Sequence, residues 1–224
     1  MADNTNTSTS TEGGAGADAA GEEADGGQLA GAEAAAEPAG EGALAADAAP
    51  PAGSVPVTVM GNLTSPTAAI RIGTQWVRPN NPPAGSTWYV VIDLTFLQVV
   101  VNELSNSRDQ VPPALGPYVG NPGFLLVATS IAWRWDSVPQ GALYSFFRST
   151  GSGMALDRAE QLYTQLGTGY FGNMGYILAA TLDPMDGSGF EEFSHHVVAP
   201  IMTFALMPVT VAGKTKYTPI RTWH

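Results

Sequence analysis

The stretch from Leu143 to Leu182, LYSFFRSTGSGMALDRAEQLYTQLGTGYFGNMGYILAATL, constrains the fold more tightly than any other part of the chain. Apolar residues at Leu143, Phe146 and Phe147, then at Met154, Leu156, Ala159, Leu162, Tyr163 and Leu166, recur three or four apart, as one face of two short helices requires. Gly151 to Gly153 separate the helices, and Gly167 stands where a left-handed C-cap ends the second. The unbroken apolar run Tyr176 to Leu182 has the length and bounding glycines of a buried strand. The expected order is helix, turn, helix, glycine loop, core strand.

Inside this stretch Gly167, Gly169 and Gly172 match the G-x-G-x-x-G spacing by which a backbone approaches a dinucleotide pyrophosphate. That loop must leave a strand and open a helix. Here it leaves a helix and opens a strand, so no helix N-terminus receives a phosphate, and the glycines read as a helix-to-strand connection.

Charge divides the chain. Residues 1–54 hold ten Asp and Glu and no Lys or Arg, whereas the remaining residues hold ten acids and nine bases. The acidic part is almost wholly Ala, Gly, Glu, Asp, Ser, Thr and Pro, without an aromatic residue. It cannot bury enough apolar area to offset ordering costs of roughly 1–2 kcal/mol per residue, so disorder is expected over 1–54. The plain reading is a solvated tail; the functional alternatives are a solubilising arm, a spacer, or an export or docking address. The rest, 55–224, is expected to be one globular domain. Its near-neutral balance gives no basic footprint for nucleic acid and no polybasic patch for a membrane.

The chain has no cysteine, which excludes disulfides, thiolate metal sites and a cysteine nucleophile. No basic region followed by an apolar core opens it as a secretory signal would, and no run of about 18 apolar residues is present to span a bilayer. Cytoplasmic residence, export by another route or membership of a particle all remain consistent with this. Asn62-Leu63-Thr64 has the glycosylation spacing but reads as a turn.

From Val55 onward the composition becomes Val, Ile, Thr and aromatic residues punctuated by Pro and Gly, which is strand chemistry. Val55, Val57 and Val59 alternate with polar or small residues, as Ile70 and Ile72 do, giving two half-buried strands. The segment Arg78 to Ser86, RPNNPPAGS, reads as a loop. Trp88 to Ile92 is apolar on both faces and is expected to be a central strand, with Gln98 to Leu104 its hairpin partner. Asp93 between them is either a turn former or a catalytic carboxylate. Any helix within Arg108 to Tyr118 is short because of Pro112, Pro113 and Pro117. Phe124 to Ser130, FLLVATS, is a further buried strand.

Next come Trp133, Arg134 and Trp135. In extended conformation both indoles face one side and the guanidinium the other, an arrangement that stacks on a sugar face or a partner's aromatic ring. The plainer alternative is that one or both rings cap the core. Tyr170, Phe171 and Tyr176 offer the same choice, and Trp133, Arg134, Trp135 and Tyr170 form the candidate ligand site.

From Trp88 to Phe193 the chain resembles the interleukin-like EMT inducer domain, also called the PANDER-like domain. The resemblance lies in the strand and turn of Val90 to Val101, the FLLVATS strand at Phe124, and the helix over Ala142 to Ser149. It continues through ALDRAEQLYTQLG at Ala155 to Gly167, GNMGYILAA at Gly172 to Ala180 and GFEEF at Gly189 to Phe193. It covers a little under half of the chain. What it implies is two antiparallel sheets with short flanking helices, no enzymatic activity, and a role in signalling or carbohydrate binding. The disulfides of the animal members have no counterpart here, and no binding residue transfers position by position.

In DPMDGSGFEE, Asp183, Asp186, Glu191 and Glu192 are oxygen donors of the kind Ca²⁺ takes, but the loop pattern D-x-D-x-D-G is not met, and a turn on Pro184 and Gly187 is the simpler reading. His195 and His196 point to opposite faces of any strand that holds them. The apolar end, Val197 to Val211, is interrupted by Pro200 and Pro208. Strands are expected over Thr203 to Leu206, Val209 to Val211 and Thr215 to Ile220, in a second sheet or as an edge used for assembly.

The expected fold is α+β: two antiparallel β-sheets in a sandwich-like arrangement, flanked by two or three short helices. The expected function is non-enzymatic recognition of a carbohydrate or protein surface through exposed aromatics, with no cofactor, no metal, no nucleic acid and no membrane. The alternative is a structural component of a virion or secreted particle, assembling as a homo-oligomer through its tail and C-terminal strands. An enzyme ranks third, with Asp93 and His195 as its best pair, because no convergent acid, base, nucleophile or metal set is visible.

Overall fold

The computed structural model of the chain describes residues 52–62, 68–167, 172–183, 189–195 and 198–221. The chain divides into two units, Met1–Ala43 and Leu44–His224, and all described residues belong to the second. The acidic stretch lies outside the described residues as far as position 51. So do Tyr170, Asp186 and His196.

Among the described residues ten strands form two antiparallel five-stranded sheets, and two α-helices accompany them. The first sheet contains β1 (Val55–Met60), β2 (Ala69–Ile72), β3 (Gln75–Val77), β9 (Ile201–Val211) and β10 (Lys214–Ile220), in the order β10-β9-β1-β2-β3. The second contains β4 (Ser86–Asp93), β5 (Gln98–Ser105), β6 (Asn121–Ile131), β7 (Met174–Leu182) and β8 (Phe190–His195), in the order β5-β4-β6-β7-β8. The two ends of the domain therefore share a sheet, with Val57 level with Phe204 and Val59 with Met202.

Alternation along β1 sends Val57 and Val59 into an apolar cluster with Ile70, Ile72, Phe204 and Leu206 from the first sheet and Trp88, Val90, Ile92, Leu125, Val127 and Ile177 from the second. Strands β4 and β7 are buried on both faces because the opposite side of the second sheet is also covered. There α1 (Gly141–Ser149) and α2 (Met154–Leu166) contribute Leu143, Phe147 and Leu156 to a second cluster with Tyr89, Val91, Leu126, Tyr176 and Leu178. The three-to-four spacing of apolar residues thus has its physical cause in this helix-on-sheet contact. Gly167 adopts φ +77° just beyond α2, as a left-handed cap requires.

Pro200, just before β9, packs against Gly61 and Gly175 where only glycine leaves room. A methyl group on Gly175 of β7 would lie 2.2 Å from Pro200 Cδ, and one on Gly61 2.6 Å from Pro200 Cγ. The Gly61 N–H donates to the Pro200 carbonyl at 2.8 Å.

Three details depart from the sequence reading. Strand β3 lies immediately before the expected Arg78–Ser86 loop, whose last residue, Ser86, opens β4. Strand β9 runs unbroken through Pro208, because β1 pairs with it only as far as Leu206 and leaves no ladder partner for the missing N–H. At the β10 edge the outward-facing Tyr217 N–H donates to Leu94 O at 2.8 Å and Pro219 has no N–H to offer, so this edge is blunted against strand addition. No helix among the described residues is long and apolar enough to cross a membrane.

Candidate functional site

Beyond β6 the chain turns at Ala132, which takes φ +47°, and the two tryptophans then part company. Trp133 is held by a bridge to Met174, whose N–H donates to the Trp133 carbonyl at 2.7 Å. Its ring enters the helix-side cluster, stacks on Tyr176 at 5.4 Å between centroids, and donates from Nε1 to Ser86 O at 3.0 Å. At 1% exposure Trp133 is core, which corrects the expectation of an exposed indole there. The cause is the turn at Ala132, which aims the ring at sheet and helix rather than at solvent. Arg134 is exposed whereas Trp133 is buried, so these two do not share a surface, and Tyr170 lies outside the described residues.

Trp135 opens a single 3-10 turn, Trp135–Ser137, closed by Ser137 N–H donating to Arg134 O at 2.9 Å. Its ring is half-buried against the helix-side cluster. Val138, Pro139, Gln140 and Gly141 lead from this turn into α1, and the segment is pinned where Gln140 N–H donates to Arg108 O at 2.6 Å. Together with Tyr144 of α1 and Leu156 and Glu160 of α2, these residues line a cleft of about 330 Å³. It has an aromatic and aliphatic wall and three polar groups, Gln140, Tyr144 and Glu160.

The two helices are tied at this cleft. Asp157 of α2 accepts from the Tyr144 hydroxyl through Oδ1 and from Arg148 Nη1 through Oδ2 at 3.0 Å. The hydrogen bond to Asp157, reinforced by partial burial, raises the Tyr144 pKa above its ordinary value, so the hydroxyl stays protonated. The spacing rules used on the sequence do not find Tyr144, Gln140 or Glu160, because the cleft arises between two elements and a loop. The one sequence signal is the amphipathic tyrosine beside the core residue Leu143.

A second polar cluster lies behind α2. Glu191 of β8 accepts from Gly153 N–H at 2.6 Å, Ala155 N–H at 3.2 Å and the Tyr176 hydroxyl at 2.6 Å. It thereby supplies the N-terminal cap of α2 from another element. Tyr176 is wholly buried, and burial first and the Glu191 carboxylate second push its pKa well above the ordinary 10.0. The neighbouring Glu192 pairs instead with Arg221. Adjacent strand positions send Glu191 and Glu192 to opposite sides, each to a protein partner. Among the described residues no group of three or more His, Asp or Glu is placed to hold a metal ion.

Asp93 is the turn former: its Oδ1 accepts from Thr95 N–H at 2.7 Å and Phe96 N–H at 3.2 Å. Register also separates it from His195. Asp93 is level with Phe124 and, through β6, with the Leu182 end of β7, whereas His195 is level with Met174 at the other end, about 25 Å away by strand rise. The structure does not bring that pair together.

Compared with known proteins, the chain matches no protein-family model and no curated protein.

Proposed function

We propose that the domain is a non-enzymatic recognition module whose two sheets pack face to face as a sandwich and whose ligand site is the Trp135 cleft. The observation that carries this reading is the half-buried indole on a cleft of about 330 Å³ bordered by Gln140, Tyr144 and Glu160. An aromatic face with a few polar groups at its margin suits the apolar face and hydroxyl rim of a sugar. The resemblance of Trp88 to Phe193 to the interleukin-like EMT inducer domain points to the same class of ligand. The shared apolar cluster supports the face-to-face arrangement of the sheets.

The test is calorimetric titration of the full chain against a panel of mono- and oligosaccharides, repeated with Trp135→Ala and Glu160→Ala. Saturable binding that both substitutions weaken, with the thermal midpoint of Glu160→Ala unchanged, is the expected result. Binding indifferent to both residues, or no saccharide bound at all, overturns the reading.

A further inference from the structure

The near-neutral body of the protein separates its charge by sheet. From Ala48 to Ile92 and from Phe193 to His224 there is no acidic residue, and these two segments carry Arg71, Arg78, Lys214, Lys216 and Arg221. They supply all of β1, β2, β3, β9 and β10. The ten acids of the body all lie between Asp93 and Glu192, with four arginines. One sheet is therefore cationic and the rest of the domain anionic, which the near-zero sum conceals.

The cations stand on the face of the first sheet opposite the shared cluster. Val57, Val59, Phe204 and Leu206 point inward, so the alternate residues point outward. Across the sheet, Trp76 pairs with Arg71, Arg71 with Thr58 and Thr58 with Thr203. Further along, Val209 pairs with Lys216 and Val211 with Lys214. On this face Trp76, Ile201, Val209 and Val211 are 40–58% exposed. The guanidinium carbons of Arg71 and Arg78 each stand 5.8 Å from the Trp76 ring centroid, which holds both cations close to one exposed indole. Among the described residues, none of Arg71, Arg78, Lys214 and Lys216 pairs with an acid. The second sheet has helices over its outer face; this face has no such layer among the described residues.

We infer that the outward face of β10-β9-β1-β2-β3 is a docking surface for an acidic polypeptide segment that alternates carboxylate with apolar side chains. The complement is dictated by the face: cations at Arg71, Arg78, Lys214 and Lys216 interleave with exposed Trp76, Val209 and Val211, and the five strands themselves carry no carboxylate to repel an anionic partner. A nucleic-acid backbone would place phosphates against the valines and would find only four cations, fewer than the six to ten phosphate contacts of a typical binder. An anionic membrane would gain from the same four charges, yet short branched valines between longer lysines penetrate a bilayer poorly. Strand addition at β10 is disfavoured by its blunted edge, so the partner lies across the face. This surface is separate from the Trp135 cleft and does not depend on it.

The experiment is fluorescence anisotropy of a labelled peptide of about 12 residues alternating Glu and Leu, whose extended length of about 40 Å matches β9, titrated with the full chain. Expected is saturable binding that weakens by at least about tenfold in Lys214→Glu/Lys216→Glu, and also weakens in Val209→Ser/Val211→Ser. Trp135→Ala leaves it unchanged, and a matched Lys–Leu peptide does not bind. All these side chains are exposed or half-exposed, and thermal midpoints report that each variant is folded. Three results overturn the inference: peptide binding insensitive to the lysine and valine variants, equal binding of the Lys–Leu peptide, or binding to phosphatidylserine vesicles or duplex DNA, but not to the Glu–Leu peptide, that the same lysine variants abolish.

Discussion

Trp133 and Trp135 are two positions apart and have opposite energetic roles. Replacing Trp133 by Ala removes a ring stacked on Tyr176, leaves Ser86 O without its donor and opens a cavity, so a loss of about 3–5 kcal/mol is expected. The same change at Trp135 trims a half-buried ring at a cleft mouth, for which about 1 kcal/mol is expected. Denaturant midpoints of the two variants check this, and equal losses would contradict the placement of Trp133 in the core. In an extended segment the two rings would share a side; that they part instead was not legible, because the turn at Ala132 is a φ +47° residue without a glycine to announce it. Glu191 was equally hidden. Its three bonds go to Gly153, Ala155 and Tyr176, residues 15 to 38 positions away, and no local pattern links them. Glu191→Ala is expected to cost about 1–3 kcal/mol by stripping the α2 cap and orphaning the buried Tyr176 hydroxyl. Loss of amide protection in the first turn of α2 under hydrogen exchange would locate the damage.

Among the elements, those built on local periodicity were legible and those built on pairing were not. The two helices, the break at Gly151 to Gly153, the core strand after Gly172 and the β4–β5 hairpin follow from spacing within a short window. The partnership of β1 with β9 does not, since about 145 residues intervene and only tertiary packing sets Val57 against Phe204. Proline misled where its context was unknown: Pro208 divides a strand on paper but sits in β9 past the end of β1. Pro219 matters for a different reason. It removes an N–H from the free side of β10 next to the Tyr217–Leu94 bond, leaving Thr215 as the remaining outward donor in that strand's middle. Pro219→Thr restores a donor there and is expected to increase self-association on heating, read by light scattering, with little change in the thermal midpoint. A variant no more prone to associate than the parent would show that the Leu94 contact alone protects the edge.

At the scale of the whole domain, the layer between the second sheet and the helices makes folding sensitive to alkali. Tyr89 and Tyr176 lie in that layer fully buried, and burial raises both hydroxyl pKa values above the ordinary 10.0, for Tyr176 with the Glu191 carboxylate adding to the effect. In the unfolded chain both ionise near pH 10; in the folded one they stay protonated well above it. Below that pH both states hold the two protons and stability does not depend on them. Above it the unfolded state has released protons that the folded state retains, so stability falls as pH rises, by about 1.4 kcal/mol per pH unit for each tyrosine. Two such groups together remove about 3 kcal/mol per unit, which against a total of roughly 5–15 kcal/mol unfolds the domain within a few units above pH 10. Denaturant melts taken between about pH 8 and pH 11 should be flat at first and then decline. Tyr176→Phe, while costing some stability at neutral pH, should roughly halve the slope of that decline, because the phenyl ring keeps the stack on Trp133 and has no proton to lose. A stability that stays level through pH 11 while tyrosinate absorbance rises to its full count would mean that these hydroxyls ionise within the folded state and are not sealed beneath the helices.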